Sequence, residues 1–241
     1  GEPNTTVTLL PLAEGERTGQ DANWLDDLFE VDLRIQDGAP TDLADLLRGG
    51  YPEASARSSA RRDAWFASYV RSLLERDIRD LAQIEGIAQM PRLLRAIAQA
   101  NGASLNVASL SRESGIPATT LLRYLDLLRT TFLVRDLPAW SADPAATLAK
   151  APKLYLVDPA LWAHLAGIEE RRVRGDELLR AGLLRHVGVL EVWKAALALG
   201  RGHRLFHLRT VRQKEVDLVI ESPDGRMVGV QFRESPLRAA V

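Results

Sequence analysis

The sequence predicts an α+β protein, mostly helical, in which a helical linker and a winged helix-turn-helix precede a small α/β domain. Three observations carry this. Apolar residues recur at helical spacing through most of the chain as far as Thr130, residues 91–140 hold three helix patterns separated by tight turns, and the C-terminal stretch alternates like strands around the acidic run EVDLVI.

The elements follow in order. TVTLLPLAEGE reads as a short strand. Trp24, Leu25 and Leu28, then Leu43, Leu46 and Leu47, mark two helices around the turn-rich QDGAPTD, in which Thr41 or Asp42 suits an N-cap. Gly49-Gly50-Tyr51-Pro52 breaks the second helix. From Arg61 an amphipathic pattern (Trp65, Tyr69, Leu73, Ile78, Leu81, Ile84) predicts a long helix. PRLLRAIAQAN, NVASLSRESG and PATTLLRYLDLLRTT then give three helices, the last after a Gly115-Ile116-Pro117 turn, and FLVRDLPAW alternates like the first strand of a wing. The third helix is the recognition helix if the unit binds DNA. Thr119, Thr120, Arg123, Asp126 and Arg129 are its outward candidates, and Leu121, Leu122, Leu125 and Leu128 its core face. Two arginines against one acid make a small phosphate surface beside the roughly 6–10 contacts of a strong DNA binder, so DNA contact and a structural or protein-docking role both stay open.

Beyond the loop SADPAATLAK lie the strand KLYLV, an Asp158-Pro159 turn, a helix over 160–165, the charged link EERRVRG and a helix over about 176–199. RLFHLRT, EVDLVIES and RMVGVQFRE close the chain as strands, the last two joined at Pro223-Asp224-Gly225. This outlines a nuclease-like core, in which an Asp beside a strand bearing a carboxylate and a Lys holds Mg²⁺ and positions water. Here the second strand offers Gln231 and Arg233 where that chemistry wants Glu and Lys.

Composition sets bounds. The chain has 241 residues, 46% of them apolar, enough for a packed core. No run approaches the roughly 18–20 apolar residues that cross a bilayer, and the N-terminal stretch lacks the pattern of a signal peptide, so no membrane partner and a cytoplasmic location are expected. The absence of cysteine excludes disulfides, thiolate zinc sites, iron–sulfur clusters and a cysteine nucleophile. A net charge of −1 argues for neither nucleic acid nor membranes in bulk, yet residues 21–53 are acidic and 57–95 mildly basic. All basic residues except Lys150, Lys153, Lys194 and Lys214 are arginine, which fits GC-rich codon usage as well as phosphate recognition. His203 and His207 lie in a loop and strand, where residues four apart sit about 13 Å from each other, too far for one metal. Trp65, Phe66 and Tyr69 have the spacing of a helix core.

GGYPEA at Gly49, WFASYVRSLLERDIRDL at Trp65, the run ending LRTTFLVRDLPAW, KAPKLYLVDPAL and EVDLVI resemble, in this order, the C-terminal region, a conserved domain of unknown function, of prokaryotic predicted AAA-type ATPases. TVTLLPLAEGE is similar to the last strand of that family's ATPase domain. The resemblance spans nearly the whole chain and implies four parts: residues 1–53 as the end of the ATPase domain and an acidic helical linker, 54–90 as a connecting helix, 91–150 as a winged helix, and 151–241 as a degenerate restriction-endonuclease-like domain. ATP and Mg²⁺ are implied only for the ATPase domain, because this chain has no GxxxxGK[ST] and no Gly-Lys pair. No cofactor or metal is expected here.

Carried over residue by residue, the family's strand Asp is Asp217. Its helical Leu-Leu-Glu-Asn becomes Leu183-Leu184-Arg185-His186, and its Glu-x-Lys becomes Gln231 and Arg233. A lone Asp217, even with Glu191 or Glu215 nearby, carries too little negative charge for a tight Mg²⁺ site, and is expected to pair with Arg233 or Arg185. The implied function is a binding and coupling module of an ATPase, on its own or a cognate ATPase domain and on double-stranded DNA through Thr119, Thr120, Arg123 and Arg129, with oligomerisation open. Lys150 and Lys153 suit either phosphate or the ATPase domain. The alternatives are an Mg²⁺-dependent nuclease using Asp217 and Glu191, and a protein-interaction platform.

Overall fold

The structure, a computed structural model, describes residues 9–19, 24–30, 42–78, 87–143, 150–209 and 215–233. Several sequence expectations fall outside them: the start of the TVTLL strand, most of the QDGAPTD turn, the later turns of the long helix at Leu81 and Ile84, and most of the SADPAATLAK loop.

Short helices lead in: α1 (Glu14–Thr18), α2 (Trp24–Asp27), α3 (Leu43–Leu46) and α4 (Pro52–Ser55). Asp42 caps α3 by accepting from Ala44 N at 3.3 Å. The long helix α5 (Ser59–Leu73) widens over Leu74–Ile78 into turns with more residues than an α-helix. Phe66, Val70 and Leu73 are its buried stripe, and Trp65 and Tyr69 pack partly buried against the same core.

The three predicted helices form as α6 (Met90–Gln99), α7 (Val107–Ser114) and α8 (Ala118–Thr130). Asn106 caps α7 by accepting from Ser109 N at 2.9 Å, and Gly115, at φ 74°, ends it in the left-handed conformation that a glycine adopts without strain. On α8 the buried residues are Leu121, Tyr124, Leu125 and Leu128. Leu122, expected in the core, is 47% exposed. At 100° per residue, 121, 125 and 128 define a stripe that 124 shares and 122 does not.

β1 (Val134–Leu137) pairs antiparallel with β2 (Lys153–Leu156), Val134 opposite Leu156 and Leu137 opposite Lys153. The expected boundary at 150/151 therefore runs through this hairpin: β2 pairs with β1, beside the helices, and not with the C-terminal strands. On its other side β2 meets Ser104 through an isolated antiparallel bridge.

The chain continues through α9 (Pro159–Ala166), α10 (Glu170–Gly175) and α11 (Glu177–Leu199) to an antiparallel sheet of β3 (Arg204–Arg209), β4 (Glu215–Glu221) and β5 (Met227–Val230), with β4 central. Gly225, at φ 85°, makes the turn before β5. The two sheets touch at one parallel bridge, where His207 N donates to Pro138 O at 2.8 Å and Trp140 N to His207 O at 2.7 Å. The larger core joins α3 to α10 and the first half of α11 with the hairpin. A second core packs α11 and β4 with Leu137, Tyr155 and, from the acidic N-terminal segment, Leu25.

Candidate functional site

β4, α11 and β2 converge on one polar junction. Alternation along β4 puts Glu215 and Asp217 on the same face, and alternation along β2 does the same for Lys153 and Tyr155. Asp217 is buried. Arg185 Nε from α11 donates to its Oδ1 at 2.6 Å, and Phe232 N to its Oδ2 at 3.0 Å. Of the two expected partners, Arg185 is the one that binds. Arg233 instead donates to Gln231 Oε1 at 2.7 Å, and Gln231 Nε2 donates to Glu215 O at 2.8 Å. Phe232 reaches Asp217 because Gly188 leaves room: a Cβ there would sit 2.2 Å from the Phe232 ring.

Lys153, almost fully buried, donates its ammonium to Glu215. Burial raises the Glu215 carboxyl, and the Lys153 hydrogen bond and charge more than reverse this, leaving its pKa below the usual carboxylate value. His207 is buried next to Lys153; burial first, then the Lys153 charge, push its pKa below the usual imidazole value. Tyr155 keeps its hydroxyl buried without a hydrogen-bond partner among the described residues, and burial holds its pKa far above that of a free phenol. Sequence reasoning placed Lys153 in the right segment but missed its partnership with Glu215. The signal was the K-L-Y-L alternation, which sets Lys153 and Tyr155 on one face.

Glu191 belongs to a different neighbourhood. It accepts from Glu14 N at 2.8 Å and from Lys194 Nζ at 3.3 Å, and shares no partner with Asp217. These residues do not fit an Mg²⁺ site. The carboxylates are separately engaged, Gln231 and Arg233 supply no negative charge, and among the described residues no group of three or more His, Cys, Asp or Glu side chains is arranged to hold a metal.

On α8, Thr119 and Arg123 are exposed and Thr120 partly so. Arg129 is not free for phosphate: it donates to Asp126 Oδ1 at 2.8 Å and to Asp136 Oδ1 at 3.1 Å. Beside this surface Leu122 and Phe132 stand 47% and 48% exposed. His203 faces Asp26 and His207 the β2 junction, so the two imidazoles serve different contacts. Trp65 and Tyr69 stack at 5.1 Å with Tyr51 against both, a cluster packed on the core.

The GGYPEA and VDPAL segments meet at Asp158, which sequence reasoning took only as a turn. Its Oδ1 caps α9, accepting from Ala160 N and Leu161 N at 2.9 Å each, while Oδ2 accepts from Gly50 N at 2.7 Å. Burial pushes this carboxyl's pKa up, and the amide donors and the Lys194 charge work against that push.

Together the fold and contacts define an α+β module in which Asp217, Glu215 and Glu191 are each engaged by groups of the chain itself. The chain belongs to the family described as a domain of unknown function (DUF8612), which matches residues 43–172. It is similar to the uncharacterized proteins Rv2008c of Mycobacterium tuberculosis and Mb2031c of Mycobacterium bovis, each 33% identical over 190 residues, covering 78% of this chain and 42% of theirs. No solved structure matches. Among the described residues no helix is long and apolar enough to cross a membrane.

Proposed function

We propose that this chain is a non-catalytic binding and coupling module of a longer protein, resembling the C-terminal, non-motor part of an AAA-type ATPase, with a winged helix and a degenerate nuclease-like domain. The observation that carries it is the pairing of Asp217 with Arg185, which replaces a metal ligand by a guanidinium and leaves the constellation neutralised. The order α6, the Ser104 bridge, α7, α8, β1 and β2 supports the winged-helix reading, with β2 lying between Ser104 and β1. The resemblance places ATP and Mg²⁺ on an ATPase domain beyond this chain, and the curated relatives are longer than it. Duplex DNA is the ligand to test. Incubation with labelled duplex and Mg²⁺ is expected to give no cleavage, whereas cleavage abolished in Asp217→Ala would replace this reading with the nuclease.

A protein-interaction platform is the second reading, favoured by the exposed Leu122 and Phe132 and by the neutralisation of Arg129. Absence of duplex DNA binding at low salt, together with absence of cleavage, favours it.

A further inference from the structure

The described N-terminal stretch is held in two unlike ways. Leu25 is fully buried, and with Leu28 and Phe29 it completes the core of α11 and β4. Upstream, Pro11 is buried and Leu10 packs partly buried against the small cluster of Val157, Leu190 and Trp193; Leu9 is 86% exposed and α1 buries nothing. The rest of the hold is polar and directed at backbone. Leu12 N donates to Gly50 O at 2.8 Å, Lys194 Nζ donates to Leu12 O at 2.9 Å, and Glu14 N donates to Glu191 Oε2 at 2.8 Å. Gly50 permits this approach, because a Cβ there would lie 2.1 Å from Leu12 O.

We propose that Gly50, Glu191 and Lys194 form a releasable seat for the segment Leu10–Glu14, so that the polypeptide leading into the module is held or freed separately from the core. Contacts to backbone groups recognise an extended conformation rather than particular side chains. The seat's charges stay paired when it is empty: Lys194 already reaches Glu191 Oε1 at 3.3 Å, so departure of the segment does not strand the ammonium. A short segment held by two apolar residues, Leu10 and Pro11, and three hydrogen bonds opens at lower cost than a core strand. As a coupling device this rests on the coupling reading above; as a seat it does not.

Amide hydrogen exchange on this chain tests the seat without DNA or an ATPase. The amides of Leu12 and Glu14 are expected to be protected, yet to exchange at least ten-fold faster than those of β4. Lys194→Met is expected to speed them a further ten-fold or more while β4 is unchanged. Glu191→Gln is the milder second variant, acting on Glu14 more than on Leu12. Exchange of residues 12 and 14 in step with β4, no protection at all, or no response to either variant overturns the proposal. Cleavage or DNA results leave it standing, so its failure and that of the functional reading are separable.

Discussion

Arg185 and Asp217 form a 2.6 Å ion pair across the α11–β4 packing, with the carboxylate buried and the arginine side chain 37% exposed. The pair occupies the place where the nuclease resemblance wants a helical carboxylate facing the strand Asp. A carboxylate at that helical position would attract a cation, whereas Arg185 supplies the positive charge itself.

Removing Arg185 therefore strands a carboxylate that retains one amide donor, from Phe232. Arg185→Ala is expected to cost about 1–3 kcal/mol in urea denaturation, below the full penalty of a wholly buried pair because the arginine is solvated. Arg185→Ala with Asp217→Asn is expected to cost less than the sum of the single changes by about 1 kcal/mol. Strict additivity sinks the claim that the two act as a unit.

Gly49 has φ 69°, and a Cβ on it would fall 2.4 Å from Asp158 Oδ1 and 2.8 Å from the Ala160 methyl. Gly49→Ala must therefore both strain the backbone and displace a buried carboxylate from the α9 cap. A loss of about 3 kcal/mol or more is expected. Gly19, at φ 73° with nothing within 4 Å of its virtual Cβ, isolates the backbone contribution; Gly19→Ala is expected to cost about 1 kcal/mol. Equal losses at both sites argue against the clamp at Asp158.

His186 is fully buried, its Nε2 donating to Leu156 O at 2.7 Å. Burial pushes its pKa down to about 4, the Leu156 bond opposing and the Lys194 charge assisting. The unfolded chain takes up this proton near pH 6.5 and the folded protein near pH 4, so the unfolded state binds more protons in between and stability falls as pH drops through that window. The full contribution, on the order of 3 kcal/mol, is present above pH 6.5 and gone below pH 4. Urea midpoints at pH 7.5 and 4.5 are expected to diverge less in His186→Gln than in the unsubstituted protein. Parallel pH dependences contradict the assignment.

What was legible in the sequence was local. Helix periodicity located α6, α7, α8 and α11, and the Pro223-Asp224-Gly225 turn located β4 and β5, because these signals are carried by neighbouring residues. The resemblance added Asp217 and its changed surroundings. Long-range partnerships were not legible. KLYLV reads as a strand whether it joins β1 or β4, and only packing decides. Glu191 looks like a metal ligand in a list of acids, yet its face of α11 receives the entering chain. Leu122 has the apolarity of a core residue, and the one-residue phase that exposes it follows from how α8 sits on its neighbours.

The α8 face separates the two arginines expected to meet DNA. Arg129 is held by Asp126 and Asp136, so a phosphate would compete with two carboxylates already in place. Arg123 is exposed and lies 5.8 Å from the Tyr124 ring centroid, and among the described residues no carboxylate forms an ion pair with it. If α8 meets duplex DNA, Arg123→Ala is expected to weaken binding and lower the slope of log K against log salt by about one. Arg129→Ala is expected to act mainly on stability, by about 1 kcal/mol through loss of its two partners. Fluorescence anisotropy at two salt concentrations with each variant decides between them. A larger binding loss from Arg129 than from Arg123 means that the Asp126 and Asp136 contacts give way on the DNA, and no binding at low salt leaves the α8 surface to a protein partner.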